Sequence, residues 1–324
     1  MILVLVEHDG GRLNALSLQT LTFGRRLAND MVDELQAVLI GEEGRPLADG
    51  LAAYGVSTVR VVEHDGLDEY APEAWAESVV QLMAAARPLV VLAAGSERGH
   101  EVMAHVAART ELPLAANCIA AQPGDPFQVT RQRWGGSLLE EARLRGDVKL
   151  LTVAPHAVQA EPSMETGPLS VGPFTPTLSD KDVRVRVTDR VEKPGGKMSL
   201  TEARVVVGGG RGVGGAEGFG ALEELAQLLG GIVGCSRAVT SAGWRPHSDQ
   251  IGQTGVRIAP DLYIACGISG ATQHIVGCKG AKHILVINTD AEAPILARAD
   301  YAVIGDVRQV VPALNAEIRK AIKP

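Results

Sequence analysis

The 324-residue chain has little cysteine, no excess of positive charge and no long apolar run. Its four cysteines, Cys118, Cys235, Cys266 and Cys278, form no C-x-x-C pair, so neither a structural zinc site nor a dithiol redox motif is in view. A chain of this length builds its own cores without staples, and the four are expected as free thiols in a reducing, cytoplasmic compartment. Lys and Arg number 31 against 38 Asp and Glu, a net charge of −7. That removes the global basic field needed to hold phosphate backbones or anionic lipid. The longest uncharged stretch, Leu262 to Cys278, contains Ser269, Thr272, Gln273, His274 and three glycines, too polar to span a bilayer. The opening MILVLVEHDG has no basic leader and reads as a first strand, not a signal peptide. Gly-Lys-Ser/Thr and Gly-x-Ser-x-Gly are both missing, and His100-Glu101-x-x-x-His105 is one residue longer than the zinc motif H-E-x-x-H. No metal site is expected.

What is present is glycine, 37 residues against an average share of about 7%. Length alone gives about two domains. Ile2–Val6, Leu35–Ile40, Thr58–Val62, Leu89–Ala93 and Val148–Val153 are near-continuous apolar runs, the pattern of strands covered on both faces by helices. Trp75, Val79, Leu82, Met83 and Ala86 form one stripe of a helix opened by Pro72. Between Pro155 and Pro176 five prolines break the pattern, which reads as a connector. Val183, Val185 and Val187 then alternate with polar residues, as in a strand wet on one face. A second series of strands follows, at Ala203–Val207, Leu262–Ala265, His283–Ile287 and Ala302–Ile304, and closes with a helix near Val307–Ile318. The expected fold is α/β, with two doubly wound parallel-sheet domains over 1–190 and 200–324, the second Rossmann-like.

Polar and glycine-rich clusters follow the strands of the second domain. Val205-Val206-Val207 runs into eight residues from Gly208 to Gly215, six of them glycine, and then into a helix carrying Leu222, Leu225, Ala226 and Leu229. Gly210-x-Gly212-x-x-Gly215 matches a dinucleotide fingerprint, although such a match is cheap in so glycine-rich a run. Ser236-Arg237, Gln250 to Gly255, Gly267 to His274 and Asn288 to Asp290 place hydroxyls, amides and a guanidinium at further turns, and Asp306 ends the last strand. Successive strand ends of this kind favour a binding crevice over a set of helix caps. The strand ends of residues 1–190 carry no comparable cluster, which suits a structural module.

The runs VVVGGGRGVGGAEGF, GCSRAVTSAGW, IGQTG, APDLYIACGISGATQHIVG and ILVINTDAEAPI with YAVIGD closely resemble, in order and spacing, the C-terminal FAD domain of the electron transfer flavoprotein alpha subunit. The resemblance covers residues 200–324 and extends more loosely through the βα layout of the first half. It implies a heterodimer with a beta subunit and one FAD held mainly by the second domain. It also implies roles. Arg211 and Ser236 would lie along the flavin, ribityl and pyrophosphate path, and Arg237 near the isoalloxazine. Gln250, Ile251, Gly252, Gln253 and Thr254 would line the flavin, with the Thr254 hydroxyl close to N5. Ser269, Gly270, Ala271, Thr272, Gln273 and His274 would cradle pyrophosphate and ribityl, with His274 near the C2 carbonyl. Asn288 and Asp306 would hold the adenosine end. Arg237, Thr254 and a protonated His274 would tune the redox chemistry that the cofactor supplies.

As a member of that family the chain would be an electron carrier more than a substrate-converting enzyme. It would draw on flavin dehydrogenases of the acyl-CoA type, as in fatty acid β-oxidation, and deliver to a quinone oxidoreductase. A bifurcating version would use NADH and a second FAD on the beta subunit. A rival from another class, an NAD-linked Rossmann enzyme, rests on glycines 210–215. It lacks an acid for the ribose about 20 residues later, where Gly230 and Gly231 stand.

Overall fold

The apolar run at the start of the chain, Ile2–Val6, is a strand (β1) with every residue fully buried, which requires both faces of its sheet to be covered. Ile2, Val4 and Val6 enter one core, and Leu3 and Leu5 enter another. The structure is a computed structural model that describes residues 1–67, 69–164, 167–189, 199–201 and 203–322. It divides into two units, Met1–Val191 and Glu192–Pro324. The expected boundary falls mainly on residues 190–198, outside the described residues.

In the first unit β1 is followed by a short antiparallel pair, β2 (His8–Asp9) and β3 (Arg12–Leu13), then α1 (Ala15–Met31), β4 (Leu35–Ile40), β5 (Thr58–Val62), α2 (Pro72–Ala86), β6 (Val90–Ala94) and α3 (Glu97–Thr110). After these come β7 (Leu114–Gln122), β8 (Phe127–Arg133), β9 (Leu138–Leu144), β10 (Lys149–Val153) and β11 (Ser170–Phe174). The main sheet has the order β11-β5-β4-β1-β6-β10-β7-β8-β9. Alternation continues along it: Leu35, Ala37 and Leu39 of β4 join the core of Ile2, while Val38 and Ile40 join that of Leu3. Local chemistry supports the helices. The Asn14 side chain accepts from the Leu16 amide at 2.8 Å to open α1, and Pro72 starts α2 where its missing N–H costs nothing.

Three expectations for this unit need correction. The sheet is not wholly parallel, because β8 and β9 extend it as an antiparallel meander beyond β7. Arg131 and Arg133 lie on β8 and both pair with Glu140 of β9. The proline-rich connector contains an edge strand, β11, parallel to β5; Pro173 is tolerated because an edge leaves one side of the strand unpaired. Val183 to Thr188 is not a strand. The Val187 amide instead bonds to the Tyr70 carbonyl ahead of α2 at 2.9 Å, and Asp182, just before the segment, pairs with Arg109 of α3 at 2.9 Å.

Nor are the strand ends of this unit bare of polar groups. Glu7, just past β1 and 3% exposed, accepts from the Ser96 hydroxyl at 2.5 Å, and Ser96 in turn caps α3 through the Gly99 amide at 2.8 Å. Burial pushes the Glu7 carboxyl above its usual range. Alongside is a cavity of about 290 Å³ bordered by Asp9, Glu42, Glu43, Glu69, Tyr70 and Arg98, among others.

The second unit is a five-stranded parallel sheet in the order β13-β12-β14-β15-β16, formed by β12 (Val205–Gly209), β13 (Ile232–Cys235), β14 (Leu262–Cys266), β15 (His283–Asn288) and β16 (Tyr301–Ile304). Its helices are α4 (Phe219–Leu228), α5 (Arg237–Ser241), α6 (Thr272–Cys278) and α7 (Val307–Ile322). Phe219, Leu222 and Leu225 of α4 and Val307 and Val311 of α7 cover one face with Val207 and Ile264. Val206, Tyr263, Ala265 and Val286 face the other core with Ile251, Ile268 and Ile295. No helix among the described residues is long and apolar enough to cross a membrane.

The cap of α1 offers a stability test. Val32 ends that helix in the left-handed region (φ 52°) with its side chain 93% exposed. This conformation costs an L-residue about 1–2 kcal/mol, more than the entropy that glycine adds to the unfolded chain. Val32→Gly should therefore raise unfolding stability by about 0.5–1 kcal/mol, read from urea denaturation. A destabilised variant would refute the strain.

Candidate functional site

The chain leaves β12 to build β13 on one side, then crosses to β14 on the other, so strand order reverses between β12 and β14. Ligands of open α/β sheets bind at such a point, beyond the carboxyl ends of the strands. The loops after β12 and β14 meet there backbone to backbone. The Gly210 amide donates to the Cys266 carbonyl at 2.8 Å and the Gly212 amide to the Gly267 carbonyl at 3.1 Å. A Cβ on Gly210 would fall 2.2 Å from the Gly267 carbonyl oxygen, and one on Gly267 (φ +63°) would fall 2.6 Å from the Gly212 Cα. Glycine is required for this approach.

The loops wall an open cavity of about 310 Å³. Arg211 and Gly212 reach it after β12, and Ser236, Arg237 and Ala238 after β13. Gly267, Ile268, Ser269 and Ala271 follow β14, with Gln273 and His274 in the first turn of α6, while Asn288 and Asp290 come from the end of β15. Of the residues expected from sequence, Arg211, Ser236, Arg237, Ser269, Ala271, Gln273, His274 and Asn288 are thus brought to one crevice. Gly212, Gly267, Ile268 and Asp290 stood within the expected clusters without a role of their own, and Ala238 was not singled out. Gly212 and Gly267 stand in glycine clusters directly after strands, which is a legible signal; Ala238 and Ile268 carry none.

Gln250 to Thr254 do not line the cavity. They form a strap between β13 and α6, the Ile251 amide donating to the Cys235 carbonyl and the Gln253 amide to the Gln273 carbonyl, each at 2.8 Å. The Ile251 side chain is 1% exposed and belongs to the core. Gly252 lies within the strap, its amide bound to the Val256 carbonyl at 3.2 Å. Gly270 packs on Ile295, and Thr272 opens α6 without lining the cavity. Asp306 sits beyond β16, its carboxylate held by the Arg308 amide at 2.9 Å and guanidinium at 2.7 Å, which keeps it below the usual carboxylate range. Asn288 works as a brace: Nδ2 donates to the Ile268 carbonyl at 2.9 Å and Oδ1 accepts from the Asp290 amide at 3.1 Å.

His274 is 6% exposed, with Nε2 2.8 Å from the Tyr263 hydroxyl. Burial pulls its pKa down to about 4 against the opposing pull of the Ile251 backbone, so the imidazole is neutral at pH 7. This corrects the expectation of a protonated His274. Positive charge is left to Arg211 and Arg237, both exposed and, among the described residues, without an ion-pair partner. The four cysteines are free and buried, their thiols pushed up to about 12, so none supplies a thiolate. Gly210 to Gly215 opens no α-helix; a short 3-10 turn at Arg211–Val213 intervenes and α4 begins at Phe219. The NAD-linked reading thereby loses the structural context that its fingerprint needs.

Residues 2–177 match the family model for the electron transfer flavoprotein domain, and residues 199–279 match that for the electron transfer flavoprotein FAD-binding domain. The chain is 34% identical over 322 residues to electron transfer flavoprotein subunit alpha of Thermoanaerobacterium thermosaccharolyticum, covering 98% of each chain. It is 38% identical over 320 residues to the corresponding subunit of Mycobacterium leprae, again with 98% of each covered. To Protein FixB of Clostridium saccharobutylicum the figures are 34% over 324 residues, 98% of this chain and 96% of the other. The chain belongs to the electron transfer flavoprotein alpha-subunit family.

The family's activity is electron transfer and its cofactor is FAD. The residues of the crevice fit that group. Two guanidiniums without carboxylate partners among the described residues suit a pyrophosphate, the glycine-backed wall lets a ligand approach main chain closely, and the neutral imidazole keeps a buried Nδ1 that, among the same residues, makes no hydrogen bond.

His274 also gives the unit an acid sensitivity of defined sign. The folded imidazole takes a proton only below about pH 4, whereas its ordinary value is 6.5, so stability is lost as pH falls through that window. In flavin-free protein the loss between pH 7 and pH 4.5 should be about 2–3 kcal/mol from this group. His274→Gln should flatten the profile by that amount in urea titrations. An unchanged slope would place the acid sensitivity elsewhere.

Proposed function

We propose that the chain is the alpha subunit of a heterodimer, holding FAD in the crevice at the ends of β12, β13, β14 and β15. It carries electrons from flavin dehydrogenases of the acyl-CoA type to a quinone oxidoreductase. The unit over residues 1–190 contributes the subunit contact, the unit over 200–324 the cofactor, and the complex works in the cytoplasm. The observation that carries this reading is the crevice itself: two guanidiniums, Arg211 and Arg237, without an ion-pair partner among the described residues, beside a wall of touching glycine backbones in a member of this family.

Bound FAD supplies the one- and two-electron chemistry. The chain's own residues bind and tune. Arg211 and Ser236, with Ser269, Ala271 and Gln273, hold the phosphate and ribityl portion, and the end of β15 at Asn288 borders the adenosine end. Arg237 sets a positive charge near the ring system, where reduction adds negative charge. Thr254 stands outside the cavity on the strap bonded to its lining residue Gln273, and because the Gln250 side-chain amide donates to Thr254 Oγ1 at 3.0 Å, the hydroxyl proton stays available to a ring that extends beyond the cavity to the strap. A neutral His274 contributes a hydrogen bond, not a charge.

The deciding experiment is co-expression with the neighbouring beta subunit, an absorption spectrum, and release and counting of the flavin. One FAD per heterodimer is expected; two would point to the bifurcating form, and none even after FAD is supplied would overturn the reading. In the same complex Arg237→Ala should lower the midpoint potential. A charge pair about 4 Å apart is worth about 1 kcal/mol in water-like surroundings, about 40 mV for one electron, so a drop of a few tens of millivolts with FAD retained is expected. An unchanged potential removes Arg237 from this role.

A further inference from the structure

Tyr263 heads the fully buried large side chains of the molecule, yet it does not line the crevice. It stands on β14 opposite Val206 of β12, on the face that both strands turn to the Ile251 and Ile295 core. The next β12 residue on that face is Gly208, and the tyrosine ring runs over it: a Cβ there would fall 2.3 Å from the hydroxyl oxygen. One glycine of the VVVGGG run is therefore reserved for a phenol and not for a phosphate. Space over Gly208 lets the hydroxyl reach the carboxyl end of the sheet, 2.8 Å from His274 Nε2. The two rings lie 6.1 Å apart at 34°.

Counting donors fixes the direction of this bond. A phenol has one proton to give, and a neutral imidazole has one donor nitrogen and one acceptor. Among the described residues the Tyr263 hydroxyl has no hydrogen-bond partner besides His274, and His274 Nδ1 makes no hydrogen bond of good geometry, the Ile251 backbone being the one other polar group that acts on the ring. If Nε2–H gave its proton to the phenol oxygen, both the phenol proton and the Nδ1 lone pair would be stranded in the interior. If the phenol donates to Nε2, only Nδ1–H remains to be satisfied, and burying fewer unpaired polar groups is the lower-energy choice.

We propose that Tyr263 is a positioning residue: its hydroxyl donates to His274 Nε2, fixes the neutral imidazole as the Nδ1–H tautomer, and leaves Nδ1–H as the one donor His274 offers to the bound flavin. This rests on the reading of the crevice as the FAD site. Reduction places negative charge on the flavin, a donor held toward it favours the reduced form, and Tyr263 thus raises the potential without touching the cofactor.

The test uses the full complex with its beta subunit, 15N-labelled at histidine, in wild-type and Tyr263→Phe forms, each with FAD bound and with FAD removed. The wild type is expected to show a protonated Nδ1 and an unprotonated Nε2 on His274 in both states. Tyr263→Phe keeps the ring and loses one oxygen; it should retain FAD, shift the His274 resonances toward protonation at Nε2, and lower the midpoint potential. A protonated Nε2 in the wild type overturns the proposal even if the variant fails to fold, and so does an unchanged tautomer in a folded variant. A changed tautomer with an unchanged potential overturns the link to the flavin. Absence of FAD from the wild-type complex would instead overturn the flavin reading beneath it, and the imidazole spectrum distinguishes the two failures.

Discussion

The second unit depends on one constraint, the backbone contact between the loops that follow β12 and β14. Two amides, Gly210 and Gly212, bond across it to the carbonyls of Cys266 and Gly267, and a Cβ on Gly210 or Gly267 would collide with main chain. Closing that seam draws together the carboxyl ends of two strands at the place where their order reverses, and the turns after β13 and β15 border the same cavity. Asn288 repeats the principle with a side chain, tying the end of β15 back to the Ile268 carbonyl. The glycine richness of residues 208–215 is thus mainly a demand of chain-to-chain approach, with the ligand served by the surface that results.

That origin explains which parts of the site were legible in the sequence. Glycine and short polar residues directly after apolar runs marked Arg211, Ser236, Arg237, Ser269, Gln273, His274 and Asn288, all of which the fold brings to the crevice. Proximity in sequence could not separate lining residues from bracing ones. Gln250 to Thr254 carry the same polar and glycine-rich signal, yet the fold uses their backbone as a strap between β13 and α6. Asp306 reads as a ligand residue and is engaged by Arg308 at the start of α7. Tyr263 illustrates the opposite case. An aromatic residue inside the run LYIAC looks like core, which it is, and only the geometry over Gly208 brings its hydroxyl to His274.

In the first unit the strands β1, β4, β6 and β10 were readable because both faces of each are largely buried and the apolar run is nearly unbroken, and β5 through Val59, Val61 and Val62. The meander was not. β7 is rich in alanine, β9 exposes Leu138 and Leu139 while carrying Glu140 and Glu141, and neither shows a clean period of two in hydrophobicity. Proline hid β11 for a related reason, since a strand bonded on one side tolerates a residue that a central strand rejects. Val183 to Thr188 shows the converse: alternation without partners, because Val187 and Asp182 spend their hydrogen bonds on the Tyr70 carbonyl and on Arg109.

Both units reverse strand order beside their first strand, and they treat that point in opposite ways. In the first, Glu7 fills the junction between β1 and β6, satisfied by Ser96, and the adjoining cavity sets four carboxylates, Asp9, Glu42, Glu43 and Glu69, against Arg98. A phosphate entering there would meet repulsion and would have to displace a hydrogen bond already made. In the second, the junction is built from glycine, its charged residues at the rim are mostly arginine, and its one buried titratable group is held neutral. A dinucleotide needs close main-chain approach and compensation of its pyrophosphate, and the second junction meets both requirements. Topology makes the two crevices equivalent; the side chains that terminate the strands fit one of them, and not the other, to a dinucleotide.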